Sequence, residues 1–290
     1  MMIMNHLEID SEVSVFLNKV TPTLLREAEI HSMIISLALK CREQKKEVAL
    51  LARGMNFDGT LAVAGIQTDI VRPMIISNSN SENAKKFARA LLKKNIYLPG
   101  VNGPLLAVDA FSKVWEEEKK VKLQLGLNLR LFELRKVIMP ARVSGLWREA
   151  TLRDEDLLCQ WLDEFGSEAV PHDPKTAGDI LHEHVRKMIE GKKMFLWEDK
   201  GERVCLVATS RETEKETWIA PVYTPKCFRA RGYAGALLAN VSQLIVERGK
   251  IVLLFTDLAN PTSNSIYPKV GYRALADFRH VLFVSSYETV

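Results

Sequence analysis

Arg229, Gly232 and Ala234 stand in the pattern Arg-x-x-Gly-x-Ala, with Arg231 inside it. An apolar run over residues 218–223 precedes this hexapeptide, and a helical pattern over 234–248 follows it. A strand that feeds such a turn and helix leaves backbone N–H groups unpaired at a helix N-terminus, with the positive end of the dipole behind them. That arrangement suits a phosphate or pyrophosphate. Gly232 lets the backbone approach a ligand without a Cβ in the way, Ala234 keeps the next turn small, and Arg229 and Arg231 add cationic reach. The chain has no Gly-x4-Gly-Lys-Ser/Thr, and only one glycine of the dinucleotide Gly-x-Gly-x-x-Gly, so neither of those phosphate loops is meant.

Residues 250–257 then read as a buried strand. They lead into Asn-Pro-Thr-Ser-Asn-Ser-Ile-Tyr-Pro-Lys-Val-Gly-Tyr, from Asn260 to Tyr272. The first motif resembles the Arg/Gln-x-x-Gly-x-Gly/Ala signature of the GNAT acyltransferases. The second resembles that family's Asn-to-Tyr helix closed by Gly-Phe/Tyr, with Asn260, Tyr267, Gly271 and Tyr272 in register. The match spans about residues 145–290.

The resemblance implies an acyl-CoA-dependent N-acyltransferase, acetyl-CoA being the default donor and a small-molecule or peptide amine the acceptor. It assigns pyrophosphate contacts to Arg229, Ala230, Arg231, Gly232, Tyr233 and Ala234. The preceding strand, through Ala220, Val222 and Tyr223, would pair with the pantetheine arm, and the Ala220 or Val222 amide would polarise the thioester carbonyl. Tyr267 would be the general acid to the departing thiolate. Asn260 and Asn264 would bond the pantetheine or fix the loop that carries Tyr267, although both also suit helix capping. For the general base the residues 164–174 read as a loop, which offers Glu168 and His172; Glu149 and Asp257 at strand ends are comparable. No metal is expected: His182 and His184 are two apart on a helix, and no His-Glu-x-x-His or paired Cys-x-x-Cys occurs. Two other readings stay open, a CoA-binding regulatory protein without turnover and a GNAT-like aminoacyl transferase using a charged tRNA.

The elements that must position these residues divide the chain in two. The expected class is α/β with a mixed sheet, as tandem GNAT-like domains over 1–140 and 141–290, each with a central sheet flanked by helices. Pro140 and Gly145 punctuate the boundary. In the first half, helices are predicted over 11–20 and from Pro22 to about 44, strands over 48–52, 61–67 and 71–77, a helix over 82–94, a strand over 105–108, a helix over 111–120 and a long strand over 122–135. This order parallels the second half, where strands are predicted over 146–150, 194–198 and 204–210. The equivalent of the phosphate turn is Ser77-Asn-Ser-Asn-Ser-Glu-Asn83, which has no glycine and whose side chains suit capping. The first half is therefore expected to be a degenerate GNAT-like domain without a CoA site.

The 290 residues carry a formal charge of +4, with 47% apolar and 26% charged residues, as in ordinary globular proteins. Without an aromatic-interleaved basic stripe, nucleic acid is not expected as a partner. No apolar stretch is long enough for a membrane span, and residues 1–6 lack the form of a secretory signal. Four scattered cysteines fit reduced thiols and a cytoplasmic location. Either a monomer or a homodimer is compatible with all this.

Overall fold

A computed structural model describes residues 3–169 and 178–285. The first half runs β1 (Met4–Ile9), α1 (Val13–Leu24), α2 (Ala28–Glu43), β2 (Leu50–Asn56), β3 (Leu61–Gln67), β4 (Met74–Ile76), α3 (Ser81–Lys93), β5 (Gly100–Pro104), α4 (Leu105–Lys119) and β6 (Val121–Leu134). The second runs β7 (Leu146–Glu149), α5 (Glu155–Ala169), α6 (Gly178–Glu190), β8 (Met194–Asp199), β9 (Glu202–Glu212), β10 (Glu216–Tyr223), α7 (Tyr233–Glu247), β11 (Ile251–Asp257), α8 (Pro261–Val270) and β12 (Arg273–Ser285). Strand for strand and helix for helix, the two orders are the same. The expected α/β class with helix-flanked mixed sheets is what the chain forms.

Two compact units result: residues 1–131 with 256–259 and 274–290, and residues 132–255 with 260–273. In the first unit the strand order is β1-β2-β3-β4-β5-β12-β6. The last strand of the chain thus completes the sheet of the first unit, antiparallel to β5 from Phe278↔Pro104 to Leu282↔Gly100. On one side Phe87, Phe111 and Trp115 bury against this sheet, with Phe283 of β12 stacked on Trp115 at 5.5 Å. On the other, Phe16, Leu17, Val20 and Leu24 pack with Ile34 and Ile66. Arg53, 2% exposed, is neutralised there by Asp10 and Glu8, at 2.6 Å each.

In the second unit the order is β11-β10-β9-β8-β7. Helix α7 covers one face, where Leu237, Leu238, Val241 and Ile245 join Val207, Ile219, Val252 and Leu254. Helices α5 and α6 cover the other face through Leu158, Trp161, Val185 and Ile189. Thr151 and Asp154 form a capping box before α5. The Asp154 carboxylate also receives both guanidinium nitrogens of Arg148, at 2.8 and 2.9 Å.

Several expectations for the first half need correction. Strand β1 was not predicted; Asn5 and His6 are exposed and Glu8 is half-buried, so the segment reads as polar without its partner strand β2. Residues 105–108 form the first turn of α4, and the strand is the preceding Gly100–Pro104. A run of four apolar residues fits either state, and here it joins the 3.6-residue period of Phe111, Val114 and Trp115. Helix α1 continues through Pro22 and breaks only at the 3-10 turn Leu25–Glu27. Strand β4 is shorter than residues 71–77, because the Gln67 side-chain amide donates to the carbonyls of Ile70 and Arg72 and holds the preceding segment as a turn.

Candidate functional site

The geometry around Gly232 follows from local chemistry. Strand β10 ends at Tyr223, and Pro225 leads into the 3-10 turn Lys226–Phe228. Ala230 and Gly232 both take left-handed backbone, at φ +63° and +85°. Two left-handed residues so close together turn the chain sharply into α7, and glycine adopts this conformation without a Cβ penalty. No side chain caps α7, so the amides of its first turn are left to an outside acceptor. The equivalent helix of the first half differs: Asn80 caps α3 by accepting from the Asn83 amide at 2.9 Å.

The cations near this turn are exposed and already engaged. Arg229 donates to the Thr224 carbonyl at 2.8 Å and pairs with Glu168 at 2.7 Å. Arg231 donates to the Cys227 carbonyl at 3.1 Å and lies over the Phe228 ring. Glu168 is therefore not on a loop. It sits in the last turn of α5, where it holds Arg229, which gives it a structural partner in place of the role of a free base. His172 lies outside the described residues. Glu149 is exposed and pairs with Lys192 at 3.4 Å, while the Asp257 carboxylate accepts from the Ala259 amide.

Two aromatic residues of the motif point inward. Tyr233 is buried, and its phenol donates to Asp199 at 2.6 Å, so only its backbone amide can serve a ligand at the turn. The Tyr223 ring packs between Trp161 and Phe165, and its hydroxyl donates to Glu164 at 2.5 Å. Burial, and then the Glu164 charge, push the Tyr223 phenol well above its ordinary range. The same hydrogen bond holds Glu164 below the usual carboxylate range.

Strand β10 has two features that shape a slot. Against β9 its register steps from Ile219↔Thr209 to Val222↔Val207, one residue more on β10 than on β9. The extra residue makes a bulge at Ala220–Pro221, whose peptide is cis. Against β11 the parallel ladder covers only Glu216↔Ile251 to Trp218↔Leu253. Among the described residues β10 is therefore paired on one side alone from Ile219 onward, and the backbone polar groups facing β11 have no strand partner there. Sequence reasoning overlooked the bulge, although Pro221 inside a strand was its signal.

Helix α8 begins after Asn260, whose carbonyl accepts from the Asn264 amide at 3.1 Å. Tyr267 is 7% exposed and packs on Phe132 and Tyr272, at 5.6 and 5.8 Å between ring centroids. The Tyr272 hydroxyl is hydrogen-bonded to Ser242 at 2.8 Å, and burial raises its pKa. Helices α7 and α8 touch where Gly235 faces Ile266. Cys205 is fully buried, which pushes its thiol up to about 12, and so it is no nucleophile. Cys227 is exposed beside the turn. Among the described residues, no group of His, Cys, Asp and Glu is arranged to hold a metal ion. No described helix is long and apolar enough to cross a membrane.

The chain is similar to known proteins. The family model described as FR47-like protein matches residues 200–281. A GCN5-related N-acetyltransferase from Sphaerobacter thermophilus superposes with a TM-score of 0.62 at 14% identity, over 98% of this chain and 97% of that one. A GNAT-family acetyltransferase from Colwellia psychrerythraea gives 0.55 at 13%, over 96% and 99%. A Drosophila protein gives 0.62 at 12%, over 96% and 98%. At such identities the likeness is one of fold. No curated protein matches the sequence.

Proposed function

We propose that this chain is a member of the GNAT superfamily, a reading supported by its fold and by the family-model match over residues 200–281, and that it is an acyl-CoA-dependent N-acyltransferase that moves an acyl group, acetyl by default, to a primary amine. The observation that carries this reading is the uncapped N-terminus of α7 behind left-handed Gly232, continuous with a β10 edge that β11 leaves unpaired. The first feature suits a pyrophosphate. The second suits an amide-rich arm that adds to a strand edge.

Acetyl-CoA supplies an acyl group activated as a thioester. The amides of residues 232–235 hold its diphosphate, and Arg229 and Arg231 contribute charge once their present contacts exchange. Ala220 or Val222 donates an amide to the carbonyl oxygen, where negative charge grows during attack. The Tyr267 hydroxyl gives its proton to the departing sulfur. Asn260 and Asn264 fix the start of α8. His172 serves as the base; Glu168, paired with Arg229, does not.

The domain division at about 140/141 and the loss of CoA binding from the first half belong to the same proposal, and the Asn80 cap on α3 favours that loss. Free, scattered cysteines favour a reducing cytoplasmic setting. Isothermal titration with acetyl-CoA and with CoA tests the reading. One site per chain is expected. Two sites would contradict the assignment of the first half, and no binding at millimolar ligand would remove the acyl-CoA reading.

A further inference from the structure

Arg211 is unlike the other arginines that fold inward. Arg53 and Arg148 are each gripped by carboxylates at 2.6–2.9 Å. Arg211, in β9, is half-buried and meets no carboxylate among the described residues. Its guanidinium carbon lies 4.4 Å from the centroid of the Trp218 ring, and its Nε is buried without a hydrogen-bond partner. Burial without a counter-charge lowers its pKa to about 10, so it stays cationic at neutral pH. A desolvated, unpaired guanidinium is unfavourable unless something completes it.

Its position says what would complete it. Trp218 is 2% exposed and packs on Phe255 of β11 at 5.1 Å. It is also the last residue of β10 registered with β11, two positions before the bulge at Ala220–Pro221. Alternation along β10 sends Ile219 into the α7 core and Trp218 to the opposite face. Arg211 therefore lies over the residue at which the β10–β11 ladder ends and the unpaired edge of β10 begins.

We propose that Arg211, laid across Trp218, docks a carboxylate of the acceptor, and that the acceptor is a small amine bearing one. This rests on the acyltransferase reading above. A planar guanidinium whose face meets an indole keeps its N–H edge for a two-point contact with a carboxylate, and Arg211 lies over the Trp218 ring. The docked amine nitrogen forms a bond to the acyl carbon as the carbon–sulfur bond breaks. The bonding pair leaves on sulfur, which takes the Tyr267 proton; the amine gives up one proton to the base, and solvent returns one to Tyr267.

The test uses the full-length protein, acetyl-CoA and thiol release, with amines in matched pairs: glycine with glycinamide, and β-alanine with its amide. The carboxylated member is expected to show at least ten-fold higher kcat/KM in at least one pair. Arg211→Gln should remove that preference through KM, leaving kcat for the neutral amide and the affinity for acetyl-CoA within about two-fold. Arg211→Lys should restore part of it. Thermal midpoint and acetyl-CoA titration verify that the variants are folded. The inference is overturned if no carboxylated member is favoured in any pair, if phosphoethanolamine is preferred to every carboxylate, or if Arg211→Gln slows both members equally. Absence of acetyl-CoA binding in the wild-type protein would instead remove the premise.

Discussion

Replacing Gly232 by alanine separates the ligand role of the turn from its role in folding. At φ +85° an L-residue is strained by about 1–2 kcal/mol. The new Cβ would also stand 3.1 Å from Val143 Cγ2, so that methyl must yield by a few tenths of an ångström. A loss of about 1–2 kcal/mol lowers the thermal midpoint of a chain this size by roughly 2–8 °C. If the backbone instead leaves the left-handed region, the amides of Tyr233 and Ala234 swing away from the anion. Losing one such charge-assisted bond, about 1.5–3 kcal/mol, weakens acetyl-CoA binding by about 10- to 150-fold. Gly249 is the internal control. It lies past the other end of α7 at φ +76°, and a Cβ there meets nothing within 4 Å. Gly249→Ala carries the same backbone strain far from the turn. Calorimetric titration of both variants, beside their melting curves, gives the answer. Comparable melting losses with an affinity loss in Gly232→Ala alone are expected. Unchanged acetyl-CoA affinity in Gly232→Ala would refute the anion-binding role of this turn.

Two further predictions concern chemistry and pH. Tyr267→Phe keeps the ring contacts with Phe132 and Tyr272 while removing the proton donor, so turnover should fall by about 10²–10⁴ with acetyl-CoA affinity unchanged; full turnover in steady-state assays would exclude Tyr267 as the acid. Asp154 is the clearest contributor to acid unfolding. Burial pushes its pKa up, but Arg148 and the Thr151 amide and hydroxyl outweigh this and bring it to about 2 from an ordinary 3.8. Since the folded value is the lower one, its stabilisation is complete above about pH 5 and disappears as pH falls from about 4 to 2. The difference corresponds to about 2 kcal/mol. Urea melts of Asp154→Asn should therefore show reduced stability at pH 7 and a shallower decline between pH 5 and 2; parallel curves for the two proteins would refute the assignment.

What the sequence disclosed depended on how local the cause was. Gly232 was legible because a left-handed residue at a helix entrance nearly requires glycine, a demand visible in six residues. The helix of residues 261–270 was legible for a similar reason, with Asn260 before it and Gly271 after it. Strand β5 was not, because Gly-Val-Asn-Gly-Pro has poor strand propensity. It extends because β12, some 175 residues later, lies against it, and because its glycines admit close neighbours: a Cβ at Gly100 would sit 2.3 Å from the Val281 carbonyl oxygen. Glu168 was misread since nothing local distinguishes a helix end from a loop; its ion pair with Arg229 spans 61 positions. Arg211 gave no signal at all. Within Arg-Glu-Thr-Glu-Lys it reads as a solvated charge, and only the fold lays it on Trp218.

The placement of β12 has a consequence for how this chain is made. On the ribosome, residues 1–134 emerge early with every helix of the first unit in hand, yet β5 and β6 lack the strand that lies between them. That strand is translated only after every element of the second unit. Until it arrives, the nascent first unit exposes the edges of β5 and β6 and the Trp115 surface that Phe283 later covers, the type of edge that invites mispairing with other chains. The vulnerable interval thus lasts for the synthesis of the whole second half, and a stop codon shortly before Arg273 would leave the first unit, not the second, without its missing strand.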